Sequence, residues 1–365
     1  MSMLFSTGNI GTLTLRNRII RSATAEYLAD DSGRPKPRLK DCYRELARGG
    51  VGLIITGHMY VHPSGKAHRG MTGIYSDDLI PHLAELASAV HQEGGRIAVQ
   101  INHGGIQCGR TAVEDAIAPS TVTLPFLKRS AREMTPEEIN LTIQAYAQAA
   151  RRAKEAGFDG VQLHGAHGYL ISQFLSPLIN RRTDKWGGDL EARMGFLRAV
   201  SRAVRQQVGP SYPVFIKLGM MDSVEGGLTA EGGVQAAAAL AELGLDALEI
   251  SGGIGPKSIV RTGIRSEEDE AYFRALAQQA RPVTKLPIML VGGFRSRRVM
   301  EDVLTCGDAD FVSLCRPLIC EPDLPKRFQL GLQERSACIS ANRCWPETAE
   351  DEGIACKCPI ERNQS

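Results

Sequence analysis

Two histidines and a tyrosine fall within six residues of one another, at His164, His167 and Tyr169. Two imidazoles about one turn apart can donate to a single developing oxyanion, and a phenol two residues further on can deliver a proton nearby. The same H-x-x-H spacing also suits a metal. No carboxylate neighbours the pair, however, and His103 is the third imidazole on offer, so zinc is the less well supported chemistry. A third reading makes them core histidines with satisfied ring nitrogens.

Further chemistry-bearing residues recur just after short apolar runs. Lys217 lies near the end of the run Pro213–Leu218, where a buried cation is costly unless an anion or an anionic cofactor pairs with it. Gln100 supplies an amide that can donate and accept toward a heteroaromatic edge. Gly292-Gly293 leaves backbone N–H groups free to converge on a phosphate, and Arg316 adds a charged fork to the same group. Glycines that merely make tight turns are the competing explanation. A phosphate cradle, a cation, an amide and paired imidazoles around one mouth suit a phosphorylated ring cofactor.

These residues need a scaffold that gathers strand ends. Eight short apolar runs read as strands: Ile19–Ser22, Val51–Thr56, Arg96–Ile101, Gly160–His164, Val214–Leu218, Ala247–Ser251, Ile288–Val291 and Phe311–Leu314. Amphipathic stretches between them predict helices at Pro81–Glu93, Thr135–Ala156, Leu190–Gln207, Thr229–Leu243 and Glu267–Val283. Thr135-Pro136-Glu137-Glu138 combines a capping hydroxyl, a first-turn proline and an acidic first turn. Strict alternation implies parallel strands and right-handed crossovers, which an open doubly wound sheet shares with a closed (β/α)8 TIM barrel. Polar and glycine-rich residues cluster after most strand ends, and no G-x-G-x-x-G follows the first strand; both favour the barrel. In that fold Ser22, Thr24, Ala25, Tyr27, His58, Gly253 and Cys315 also stand at the mouth.

Composition adds limits. Of the 365 residues, 43% are hydrophobic and 23% charged, and the net charge of +2 is too small to argue for nucleic acid or a membrane as partner. The N-terminus lacks a basic stretch followed by an apolar run, and no segment approaches a membrane span, so the nine cysteines are expected as reduced thiols in a cytoplasmic protein.

Several separated motifs resemble the old yellow enzyme family, the FMN-dependent NAD(P)H:flavin oxidoreductases, over residues 4–335. They are Asn17-Arg18-Ile19 leading into Ser22, the run Gly49-Gly50-Val51-Gly52-Leu53-Ile54, Gln100 with His103-Gly104-Gly105, and the block from His164 through Asn180-Arg181-Arg182-Thr183-Asp184 and Trp186-Gly187-Gly188 to Arg193. The resemblance implies FMN as cofactor, NADH or NADPH as reductant, a small-molecule acceptor and a homo-oligomer. It implies that Gln100 and Lys217 contact the pyrimidine side of the isoalloxazine, with Lys217 favouring the anionic reduced flavin. Gly292, Gly293 and Arg316 would hold the phosphate, and Ser22, Thr24, Ala25, His58, Gly253 and Cys315 complete the cofactor site. Hydride would pass in ping-pong fashion from NAD(P)H to flavin N5 and on to the β-carbon of an activated C=C bond. His164 and His167 would bind the substrate's carbonyl or nitro oxygen with help from Tyr27, and Tyr169 would protonate the α-carbon.

The sequence departs from the family pattern twice. Ala25 stands where members usually place a threonine or cysteine near flavin O4, which should make the flavin harder to reduce. Residues 336–365 then form a cysteine-bearing tail after the 1–335 FMN-binding barrel. Longer relatives bind a four-iron cluster through C-x2-C-x2-3-C and a later cysteine. Cys338, Cys344 and Cys356 fit that pattern, but Ala341 replaces the second cysteine and Cys358 is the substitute on offer. A structural remnant is the preferred reading, ahead of zinc or iron–sulfur, and the sequence ends at Ser365, before the FAD and NAD domains of those relatives. Two other functions stay open: a dehydrogenase or demethylating oxidoreductase on a small metabolite, and a flavin-binding protein with little turnover.

Overall fold

The computed structural model describes residues 2–124, 128–255, 260–347 and 352–358; of the tail, residues 348–351 and 359–365 lie outside the described residues. Eight parallel strands form the barrel: β1 (Ile19–Arg21), β2 (Leu53–Ile55), β3 (Ile97–Asn102), β4 (Gly160–Gly165), β5 (Val214–Gly219), β6 (Leu248–Ser251), β7 (Ile288–Val291) and β8 (Phe311–Leu314). Each pairs with the next, and β8 pairs with β1 through Val312 and Ile19, which closes the ring. Every predicted strand is present: β7 and β8 have the expected bounds, and the ends of the others differ by at most two residues.

The barrel interior is layered by the two-residue period of its strands. Its lower layer is apolar: Ile20, Leu53, Ala98, Phe215, Ala247, Met289 and Phe311 pack into one buried cluster. Ile10, Leu13 and Leu15 complete that cluster from an antiparallel hairpin of Gly8–Ile10 with Leu13–Leu15, an element the sequence reading missed. Two residues further along β1, β3, β5, β6 and β8, the inward positions turn polar as Ser22, Gln100, Lys217, Glu249 and Ser313. Register sets Gln100 beside Gln162, and Lys217 beside both His164 and Glu249.

Helices wrap the outside. Pro136–Glu155 begins with the expected capping box, in which Thr135 Oγ1 accepts from Glu138 N–H at 3.2 Å and Glu138 Oε2 accepts from Thr135 N–H at 2.9 Å; such caps are worth ~1 kcal/mol. Three expected helices differ, of which Thr229–Leu243 is helical over Ala230–Ala239. The stretch predicted at Leu190–Gln207 divides into Leu190–Arg193 and Gly195–Val208, with the break at Met194. The stretch Glu267–Val283 is helical at Arg274–Ala280 alone. Ala271 adopts a left-handed φ of 53°, and Tyr272 N–H donates to Gly292 O at 3.1 Å, so the chain bends toward β7 before a helix can start.

The described part of the tail is sewn to the barrel by backbone hydrogen bonds. Ser336 N–H donates to Arg295 O at 2.9 Å, Gly263 N–H to Ser340 O at 3.2 Å, and Ile354 N–H to Glu26 O at 3.1 Å. Among the described residues no helix is long and apolar enough to cross a membrane.

Candidate active site

A cavity of about 380 Å³ opens at the C-terminal ends of the strands. His164, at the end of β4, lines it together with His167 and Tyr169 from the following turn. The His164 and His167 ring centroids are 5.1 Å apart, and those of His164 and Tyr169 4.6 Å. The turn is unusual. His167 and Gly168 are both left-handed, at φ 59° and 73°, a conformation that a non-glycine residue adopts at a cost unless its surroundings impose it. Here they do: His167 N–H donates to Gly252 O at 3.0 Å, and Gln107 Nε2 donates to His167 O.

The ring nitrogens have defined partners. His164 Nδ1 accepts from Ala166 N–H at 3.4 Å, which leaves the ring proton on Nε2. His167 Nε2 lies 2.8 Å from Ser251 Oγ. Burial drives both imidazoles toward the neutral form: His167 is pushed down to about 3, with Lys217 as a second cause, and His164 falls well below the usual histidine range. Burial lifts Tyr169 well above the ordinary phenol range, so its proton stays in place at neutral pH.

Most other expected site residues meet around the same cavity. Ser22, Thr24, Ala25 and Tyr27 line it from the end of β1, and His58 and Gln100 from β2 and β3. Lys217, Gly293, Cys315 and Arg316 complete the ring from β5, β7 and β8. Tyr27 too is left-handed, at φ 59°. Gly292 and Gly253 are not among the lining residues. Gly253 backs onto Asp222, whose carboxylate an added Cβ would approach to 2.2 Å. Arg316 donates to Ser340 O at 3.2 Å and Arg261 O at 2.9 Å, so its guanidinium is anchored at the cavity wall. His103, the third imidazole of the zinc alternative, is engaged elsewhere: Nε2 pairs with Ser64 Oγ at 3.0 Å and Nδ1 accepts from Gly105 N–H at 3.1 Å.

The anion that a buried Lys217 calls for is present within the protein itself. Lys217 Nζ lies 3.2 Å from Glu249 Oε2 and donates to Ser22 Oγ at 2.7 Å. Glu249 and Gln162, which the sequence reading overlooked, sit beneath the cavity; both are polar residues inside strands, at the parity of Lys217 and Gln100, and that signal was there to read. Trp345 and Ser340, which line the cavity from the tail, had none. Among the described residues, no group of three or more His, Cys, Asp or Glu is placed to hold a metal ion. Burial raises the Cys320, Cys344 and Cys358 thiols, Cys344 to about 12, and in each case the neighbouring Cys356 is the next cause.

The chain matches the model of the NADH:flavin oxidoreductase / NADH oxidase family over residues 3–335 and belongs to that family. Membership carries FMN as cofactor and NADH or NADPH as reductant. The chain is 42% identical over 93% of its length to a protein of Thermoanaerobacter brockii named NADH oxidase, of which it spans about half, 52%. It is 37% identical to an NADPH dehydrogenase of Geobacillus sp. (strain WCH70), over 94% of this chain and 99% of that one. Among solved structures, the old yellow enzyme homologue from Zymomonas mobilis superposes with a TM-score of 0.79 at 27% identity, covering 92% of this chain and 95% of the other. The cavity fits FMN on its own evidence as well. Gln100 offers an amide edge, Arg316 a guanidinium at the wall, and Ser313 Oγ is buried with no hydrogen-bond partner among the described residues.

Proposed function

We propose that this chain reduces activated C=C bonds, of the α,β-unsaturated carbonyl or nitroalkene type, with His164 and His167 on the acceptor oxygen and Tyr169 as proton donor. The observation that carries the reading is the wall of two neutral imidazoles beside a protonated phenol, all three facing one cavity. FMN, reduced by NADH or NADPH, supplies the hydride chemistry. Gln100, Lys217, Ser22, Thr24, Ala25 and Cys315 would hold its ring, and Gly293 and Arg316 its phosphate. His164 Nε2–H donates to the acceptor oxygen and stabilises the charge that grows there, and the His167 ring approaches the same oxygen from its neighbouring position. Tyr169 gives its phenolic proton to the α-carbon; Tyr27, also raised by burial, lines the same cavity and would help bind the acceptor oxygen. Exclusion of water by the buried rings strengthens each of these interactions.

Anaerobic mixing with NADH or NADPH, and then with an enone, tests the proposal. Rapid flavin reduction and rapid reoxidation by the enone are expected. Tyr169→Phe should slow the reoxidation by about 10²–10⁴-fold, the usual worth of a general acid, and leave reduction by the nicotinamide unchanged. Failure of both half-reactions in the wild type would leave a flavin-binding protein with little turnover.

A further inference from the structure

Glu249 is fully buried, yet it is not among the residues lining the cavity. Its bonds run to side chains from three other strands. Lys217 Nζ lies 3.2 Å from Oε2, Ser22 Oγ donates to Oε1 at 2.8 Å, and Gln162 Nε2 donates to Oε2 at 2.8 Å. Gln100 Nε2 in turn donates to Gln162 Oε1 at 2.7 Å. Ser22, Gln100 and Lys217 all line the cavity, so one hidden carboxylate is tied, directly or through one amide, to three of the groups that face into it.

We propose that Glu249 is a positioning residue for the cofactor: it offsets the charge of Lys217 and fixes which atom of Gln100 faces the isoalloxazine. This rests on the reading that FMN occupies this cavity. A carboxylate only accepts, so the Gln162 amide must present its NH2 group to Glu249 and its oxygen to Gln100. Gln100 then spends its own NH2 group on Gln162 and keeps its carbonyl oxygen for the cavity, where it suits a ring N–H. The charge argument runs in parallel. A lone ammonium beneath a ring that gains electrons favours the reduced, anionic form. A carboxylate within ion-pairing distance of that ammonium removes much of the preference in a medium with little water. The flavin is therefore held at a lower potential than Lys217 alone would set. A purely structural ion pair would brace the strands and leave the potential untouched.

The test is the flavin midpoint potential of the FMN-loaded full chain, followed by absorbance against reference dyes. Glu249→Gln should favour the reduced form at least tenfold over wild type, a rise of about 30 mV for a two-electron couple. Lys217→Gln should shift the potential downward, and the double variant should return close to wild type. A Glu249→Gln potential equal to wild type, with Lys217→Gln still lowered, overturns the proposal. If Glu249→Gln does not fold, the double variant, which leaves neither charge unpaired, is compared with Lys217→Gln. A tenfold upward shift supports the proposal, and equal potentials overturn it. Gly293→Val separates the two ideas. At φ 77°, with its Cβ position 2.9 Å from the Tyr272 ring, the substitution should abolish FMN binding if the cofactor lies here. Retained FMN, together with charge variants that leave the potential unmoved, would mean that the placement of FMN is wrong.

Discussion

Ser251 Oγ, at the end of β6, lies 2.8 Å from Nε2 of His167, a residue that belongs to the turn after β4. One hydroxyl thus orients an imidazole carried by another strand, across the barrel mouth. Ser251→Ala should free that ring. A net hydrogen bond of about 0.5–1.5 kcal/mol corresponds to roughly twofold to tenfold weaker binding of a phenol to the oxidised protein. Titration of the long-wavelength charge-transfer band measures it, and unchanged affinity would mean that the turn's backbone alone aims His167.

Ala25 presents a methyl group to the cavity, while its neighbour Thr24 is occupied by Arg21 and by Cys315, whose Sγ is 3.1 Å away. Ala25→Cys or Ala25→Thr would add a donor where none stands. One hydrogen bond of about 1 kcal/mol to the reduced flavin is a rise of about 20 mV in a two-electron potential. Dye equilibration reads the shift, and an unchanged value would place Ala25 away from the flavin edge.

Stability should fall on the acid side. His103 and His167 are pushed down to about 3 by burial, and His68 to about 4. The unfolded chain therefore binds protons near pH 6.5 that the folded chain refuses. Their contribution is complete above pH 6.5 and is lost as pH falls toward the folded values, at about 1.4 kcal/mol per pH unit for each imidazole. Glu26 acts oppositely: burial lifts it to about 7, so its share is complete below pH 4.5 and fades as pH rises through 7. Thermal unfolding followed from pH 7.5 to 4.5 should show Tm dropping steadily below 6.5. A flat profile there would contradict the neutral, buried imidazoles.

Trp345 lines the cavity from the tail, with its ring 6.4 Å from that of Tyr27 and its Nε1–H donating to Asn342 Oδ1 at 3.1 Å. Trp345→Ala should widen the entrance and raise KM for a bulky enone several-fold while reduction by the nicotinamide is unaffected. Equal KM for small and bulky enones in both proteins would remove the indole from the substrate's path.

The strands were readable because each is a short apolar run that ends in chemistry, and the barrel brings those ends together. Gln100, Lys217, His164 and Arg316 could be placed from strand position alone. What escaped reading depends on relationships a linear pattern does not encode. The hairpin at Gly8–Ile10 and Leu13–Leu15 is too short to show periodicity, and its role appears only when Ile10 and Leu15 meet Phe215 and Phe311. The helix expected from Glu267 is cut short by a tertiary bond, Tyr272 to Gly292, that overrides local propensity. Trp345 reaches the cavity because the tail folds back over the barrel, and nothing in its own stretch announces this.

The left-handed backbone at His167 also constrains how this site can vary over generations. Few side chains tolerate that conformation, and asparagine, aspartate and glycine are the usual company of histidine there. Glycine would discard the ring, and aspartate would set a negative charge where, under the proposed function, the acceptor oxygen would gain its own. Asparagine is then the one replacement that keeps both the shape of the turn and a hydrogen-bond donor. Drift at this position should be narrow for reasons of geometry, before selection on any particular substrate is considered.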